Sequence, residues 1–155
     1  MAETLGSLID KLTIKSIREF YLNKLIKSRK SDFPLPQLKE KMGVLKKQKK
    51  LLRKEIDEFI ISAAENKFPL REEKLKLYNK PSSIGKIGKV GAISQAIDKL
   101  AQKNLELWQL EDQARRTDVP LEYIGKIKRK IDLANQQRND LIDRIDELLE
   151  KEVRK

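Results

Sequence analysis

The sequence contains neither cysteine nor histidine. Without cysteine there is no disulfide framework and no thiolate metal site. Without histidine the chain lacks the usual general base near neutral pH, the commonest transition-metal ligand and the Glu-x-x-His element of di-iron helical bundles. No metal and no cofactor are therefore expected. Aromatic residues make up only 5%, with 6 Gly and 5 Pro among 155 residues, too few turn formers for a β-rich domain. No apolar run approaches a membrane span and no signal-peptide core opens the chain, so a cytoplasmic protein without a transmembrane segment is expected.

Charge is what the chain has in quantity: 38% Asp, Glu, Lys and Arg, with a net charge of +11. It is unevenly placed. Residues 1–90 hold 22 Lys/Arg against 11 Asp/Glu, whereas residues 91–155 hold 13 of each. All of the excess lies in the first part, where salt-sensitive, non-specific binding to polyanions is expected.

Two heptad seams organise the pattern. Leu38, Met42, Leu45, Lys49, Leu52, Ile56, Phe59 and Ala63 alternate steps of four and three, as do Ile124, Ile127, Ile131, Ala134, Arg138, Leu141, Ile145 and Leu148. Such spacing sets one apolar stripe against a partner helix. Ile145 lies 89 residues after Ile56 and Arg138 lies 89 after Lys49, so each seam is interrupted by a cation at the same place. The preceding helices correspond at a shift of 88, with Leu8-Ile9-Asp10-Lys11-Leu12 over Ala96-Ile97-Asp98-Lys99-Leu100 and Phe20 over Trp108. Turn prolines at Pro34 and Pro120 complete the echo. The expected fold is all-α: four long helices forming two duplicated antiparallel hairpins that pack as a bundle.

One helical domain spanning 1–155 is expected, with a hairpin over 4–65, a linker over 66–90 and a second hairpin over 91–155. Helices are predicted near 5–27, 37–65, 92–116 and 119–152. Ser7 and Asp10 suggest a capping pair for the first, and Thr117 or Asp118 an N-cap for the fourth. A short helix is predicted over Arg71–Tyr78 in the linker. Whether the hairpins pair within a chain or swap between two, as a homodimer, stays open.

Polar residues converge beside the second seam. Asn104, Trp108, Glu111, Asp112, Arg115, Lys128, Asp132, Asn135, Arg138 and Asn139 fall on facing sides of the third and fourth helices. They read either as a salt-bridged surface around a Trp plug or as a polar ligand pocket with an aromatic platform, suited to a sugar or nucleotide group. Glu111 with Arg115, and Asp112 with Arg116, have the spacing of i,i+4 ion pairs. Arg138, inside an apolar stripe, is expected to be held by a carboxylate, an amide or a carbonyl. Lys49, Lys86 and Lys89 are weaker candidates for an anion. The last two belong to Gly85-Lys-Ile-Gly-Lys-Val-Gly91, which lacks the Walker pattern and follows no predicted strand. No catalytic residue is assigned.

Asn104-Leu-Glu-Leu-Trp108-Gln-Leu-Glu111-Asp112-Gln-Ala-Arg115, followed by the Asn135-Gln136-Gln-Arg138-Asn139-Asp140 string, resembles a bacterial all-α family of unknown function. Its genes tend to lie beside glycosyltransferase and surface-polysaccharide genes. The resemblance covers roughly Gly91–Leu148 and brings a setting without a chemistry. It implies a non-catalytic accessory or binding protein of cell-envelope polysaccharide systems, with a protein partner such as a glycosyltransferase. Two alternatives stand beside it. Lys39, Lys46, Lys47, Lys50, Arg53 and Lys54 would bind nucleic acid in one. In the other, a small enzyme would use Asp112, Arg115, Asp132 and Arg138 on an anionic sugar or a dicarboxylate. Leu52-Arg53-Lys54-Glu55-Ile56-Asp57 is similar to helical chorismate mutases, and is also ordinary coiled-coil composition.

Overall fold

The computed structural model describes residues 3–28, 32–65, 68–71 and 87–154. Four helices account for most of them: α1 (Leu5–Ser28), α2 (Leu35–Glu65), α3 (Ile93–Ala114) and α4 (Leu121–Val153), with no strand among the described residues. They form the expected four-helix bundle. α1 packs against each of the other three, α3 pairs with α4, and the main partner of α2 is α1. The hairpins α1–α2 and α3–α4 therefore associate within one chain. No helix among the described residues is long and apolar enough to cross a membrane.

The start of α1 is fixed twice. Thr4 Oγ1 accepts from the Ser7 N–H at 3.2 Å and Ser7 Oγ accepts from the Thr4 N–H at 3.0 Å, a reciprocal cap one turn earlier than the predicted Ser7–Asp10 pair. The Gly6 N–H, one of the four amides a helix leaves without an internal partner, donates to Asp146 Oδ1 of α4 at 2.7 Å, and Asp146 is 2% exposed. A carboxylate also suits the positive end of the helix dipole. The approach requires glycine. A Cβ at position 6 would stand 2.3 Å from the backbone oxygen of Ile142.

α2 begins behind Pro34, whose carbonyl accepts from the N–H groups of Gln37 and Leu38. Pro36 sits in the first turn, where a missing N–H costs nothing. At α4 the predicted side-chain cap is absent. Pro120 occupies the cap position without a side-chain bond, and Asp118 is taken by Arg116, whose Nε and NH2 donate to its two oxygens at 3.0 and 2.8 Å.

The larger core cluster joins α1 (Leu5, Ile9), α2 (Ala63), α3 (Ala96, Leu100) and α4 (Leu141, Ile145, Leu148, Leu149). A second cluster, Leu107, Leu110, Ile127, Ile131 and Ala134, lies between α3 and α4 alone. The stretch read as a linker contributes to the first: Leu70 is 1% and Val90 2% exposed. Side chains of α4 and its C-cap hold its backbone. Arg144 Nε donates to the Val90 carbonyl at 2.8 Å, and Arg154 donates to the Phe68 carbonyl at 3.1 Å and also to that of Ala63, in the last turn of α2, at 2.9 Å. Gly88, at φ 73°, takes the left-handed backbone that lets the chain turn before Val90. The short helix predicted over 71–78 and candidate Lys86 lie outside the described residues, apart from Arg71.

Candidate ligand-binding cleft

Beyond the main core, α1, α3 and α4 enclose a cleft of about 270 Å³. Its walls include Asn104, Trp108, Glu111, Asp112, Arg115, Asn135 and Arg138, seven of the ten residues picked out by sequence spacing. α1 adds Ile14 and Arg18. The remaining three, Lys128, Asp132 and Asn139, are exposed. Asp132 is one residue, about 100° of helix rotation, beyond the buried Ile131, so that flank of α4 turns to solvent.

Each wall residue is positioned for a traceable reason. Asn104 is 4% exposed and gives both amide hydrogens to α1: to Asp10 Oδ1 at 2.9 Å and to Thr13 Oγ1 at 2.7 Å. Thr13 in turn donates to the Asp10 carbonyl at 2.8 Å. A buried polar cluster survives only when its members satisfy one another, and this one locks the α1–α3 register. Three turns of spacing along α1 from Asp10 then bring Tyr21 onto Trp108, with ring centroids 5.2 Å apart and planes 11° from parallel. Trp108 thus forms a fixed aromatic wall, while its counterpart by sequence, Phe20, is 55% exposed.

The charges are less regular than predicted. α3 ends at Ala114, so Arg115 and Arg116 leave the helix and cannot keep i,i+4 geometry. Arg115 instead stands 3.7 Å from Asp112, and Arg116 turns to Asp118. Those two hold each other's charged forms: Arg116 keeps the Asp118 carboxyl below its ordinary range, and Asp118 raises the guanidinium further. Among the described residues no such acid pairs with Arg138. Its Nε is buried without a hydrogen-bond partner, which overturns the expectation of a held guanidinium. The reason is visible in the repeat. Lys49, its counterpart, forms an ion pair with Glu19 at 2.7 Å. The position 88 residues after Glu19 is Leu107, a buried apolar residue.

The cleft therefore combines an aromatic wall, amides, three arginines and two acids. Two of those arginines, Arg18 and Arg138, make no ion pair among the described residues. Of the weaker anion candidates, Lys49 is neutralised by Glu19 and Lys89 lies exposed ahead of α3. Sequence spacing missed Arg18, Tyr21 and the Asp10–Asn104 contact. The one available signal was an Asp in the apolar face Leu8-Ile9-Asp10-Lys11-Leu12, and its repeat counterpart Asp98 lies exposed, bonded to Gln102.

Residues 94–155 match a family described as protein of unknown function (DUF4254). No curated protein and no solved structure matches the chain. The matched stretch contains all ten candidate residues on α3 and α4, but neither Arg18 nor Tyr21 of the first hairpin.

Proposed function

We propose that this protein is a non-catalytic binding protein that holds an anionic ligand, a phosphorylated or acidic sugar, in the cleft between α1, α3 and α4. The observation that carries the reading is Arg138. Arg138 lines the cleft and makes no ion pair among the described residues; a partly buried guanidinium without a counter-charge is costly, and an anion seated in the cleft would neutralise it. Arg18 and Arg115 would add charge, Trp108 a flat face for a sugar ring, and Asn135 a further polar contact. The setting, an accessory of cytoplasmic steps in cell-envelope polysaccharide assembly beside a glycosyltransferase partner, rests on the resemblance of the second hairpin to proteins encoded in such loci.

Trp108 is the only tryptophan in the chain, so its fluorescence reports on the cleft. Titration with inorganic phosphate and with a sugar nucleotide should give a saturable change that Arg138→Met abolishes. No change with either ligand, and no heat by calorimetry, would remove the cleft as a binding site. Co-purification with the products of adjacent genes tests the setting separately.

A second reading draws on α2. Lys39, Lys46, Lys47, Lys50, Arg53 and Lys54 are all exposed along it, a continuous basic flank suited to a polyanion such as nucleic acid. It predicts binding that weakens steeply with salt and shows little sequence preference.

A further inference from the structure

A second, larger hollow adjoins the cleft. It runs between the latter half of α1 and the first half of α2, has a volume of about 610 Å³, and shares Arg18 and Trp108 with the cleft. Its character is different. Tyr21, Leu22, Leu25, Val44 and Leu45 supply an apolar lining, and the charged pair Glu40 and Lys41 adds no net charge. Leu25 is 42% and Val44 51% exposed, so two aliphatic side chains of adjacent helices face solvent across one groove. Such surface is left uncovered at a cost that a docked apolar group would recover.

Taking the cleft as the anion site proposed above, we infer that groove and cleft form one site for a single-chain lipid phosphate, with the head in the cleft and the hydrocarbon chain along the groove. Charge complementarity selects this occupant. The groove meets the cleft at Arg18 and Trp108, which line both, and Arg115 and Arg138 line the cleft beyond, so an apolar chain lying in it is led to an anion-accepting terminus. A neutral chain would leave the arginines unanswered. A free phosphate would leave the groove open. Ligand sites of this kind, mostly apolar with a few convergent polar groups, fall in the same size range.

The test is an alkyl phosphate series, butyl, octyl and dodecyl, each below its micelle concentration, followed by Trp108 fluorescence and calorimetry on the full chain. Inorganic phosphate and dodecyl maltoside serve as the head-only and tail-only probes. Each buried methylene multiplies affinity about threefold to fourfold, so even with only about four of the eight extra methylenes buried, dodecyl phosphate should bind roughly 100-fold tighter than butyl phosphate. Val44→Glu, at an exposed position that keeps the fold, should erase that gain and leave phosphate binding intact. Arg138→Met should weaken every phosphate. Circular dichroism confirms that both variants are helical. If phosphate binds but chain length adds nothing, or Val44→Glu keeps the gain, the composite site is wrong and the cleft stands. If dodecyl maltoside binds as tightly as dodecyl phosphate, the groove is head-independent and the composite site is wrong. If no phosphate of any length binds, both readings fall.

Discussion

Where α1 begins and α4 finishes, all four helices and two loop segments converge on Leu100, Leu141 and Ile145. Where α1 finishes and α4 begins, only α3 and α4 share a core cluster, and the space beside them is the cleft and the groove. The same heptad pattern feeds both ends. The difference comes from a few polar and small residues. At the first end Gly6 permits backbone contact with α4 and Asp146 caps α1, drawing the helices together. At the other end Tyr21 and Trp108 stand between α1 and α3, and large rings hold helices apart. A bundle with one tight end and one spaced end can afford an unpartnered arginine at the second, because the first carries the stability.

The largest effect should come from closing off the tight end. Gly6→Ala places a Cβ against the Ile142 carbonyl and forces α1 and α4 apart, a loss on the order of 3 kcal/mol. Gly43→Ala is the control: nothing lies within 4 Å of a Cβ there, and a mid-helix glycine replaced by alanine should gain about 0.5–1 kcal/mol. Urea denaturation measures both, and equal effects would mean that close approach at Gly6 is not what binds the two hairpins.

Next comes the cap. Asp146→Ala removes a buried carboxylate acceptor and leaves the Gly6 N–H unsatisfied, which should cost about 2 kcal/mol. Hydrogen exchange should quicken at the first turn of α1 more than at α3. Uniform quickening would argue against a local cap.

The two seam cations give a smaller and opposite pair of effects. Glu19→Ala strips Lys49 of its partner. The side chains of that pair are each 24% exposed, so a loss of about 1 kcal/mol is expected. Arg138→Met, by contrast, replaces an unpartnered guanidinium with an apolar chain of similar reach and should leave the melting temperature unchanged or higher. A clear loss would mean that Arg138 already has a partner.

The smallest effect is pH dependence. Lys11, first, and Ser7 hold the Glu3 carboxyl below its ordinary range, and Arg116 does the same for Asp118 at the hairpin turn. A carboxyl lowered on folding contributes stability that is present above its unfolded value and is lost as pH falls through its folded one. Thermal melts should therefore decline modestly below about pH 4.5. Glu3→Gln should flatten part of that decline. An unchanged slope would place the acid sensitivity elsewhere.

By itself the sequence determined the helices, their pairing and most of the cleft. Spacing of three and four defines a buried stripe whatever the stripe packs against, and two helices joined by a short proline-bearing turn have to run antiparallel. Residues at adjacent heptad positions on facing helices, such as Trp108, Asp112, Asn135 and Arg138, must then come near one another. Tertiary structure alone decided which polar groups are satisfied. Asp10 and Asp98 sit in matching strings, yet only Asp10 meets an asparagine from another helix, and Lys49 and Arg138 match while only Lys49 meets an acid. It also decided that Leu70 and Val90, in a stretch without periodicity, would be core, and that α1 would wall the cleft with Arg18. Periodicity is a property of one helix, whereas partnership depends on the rotation and offset between helices, and those follow from contacts such as Gly6 with Ile142 that join residues far apart in the chain.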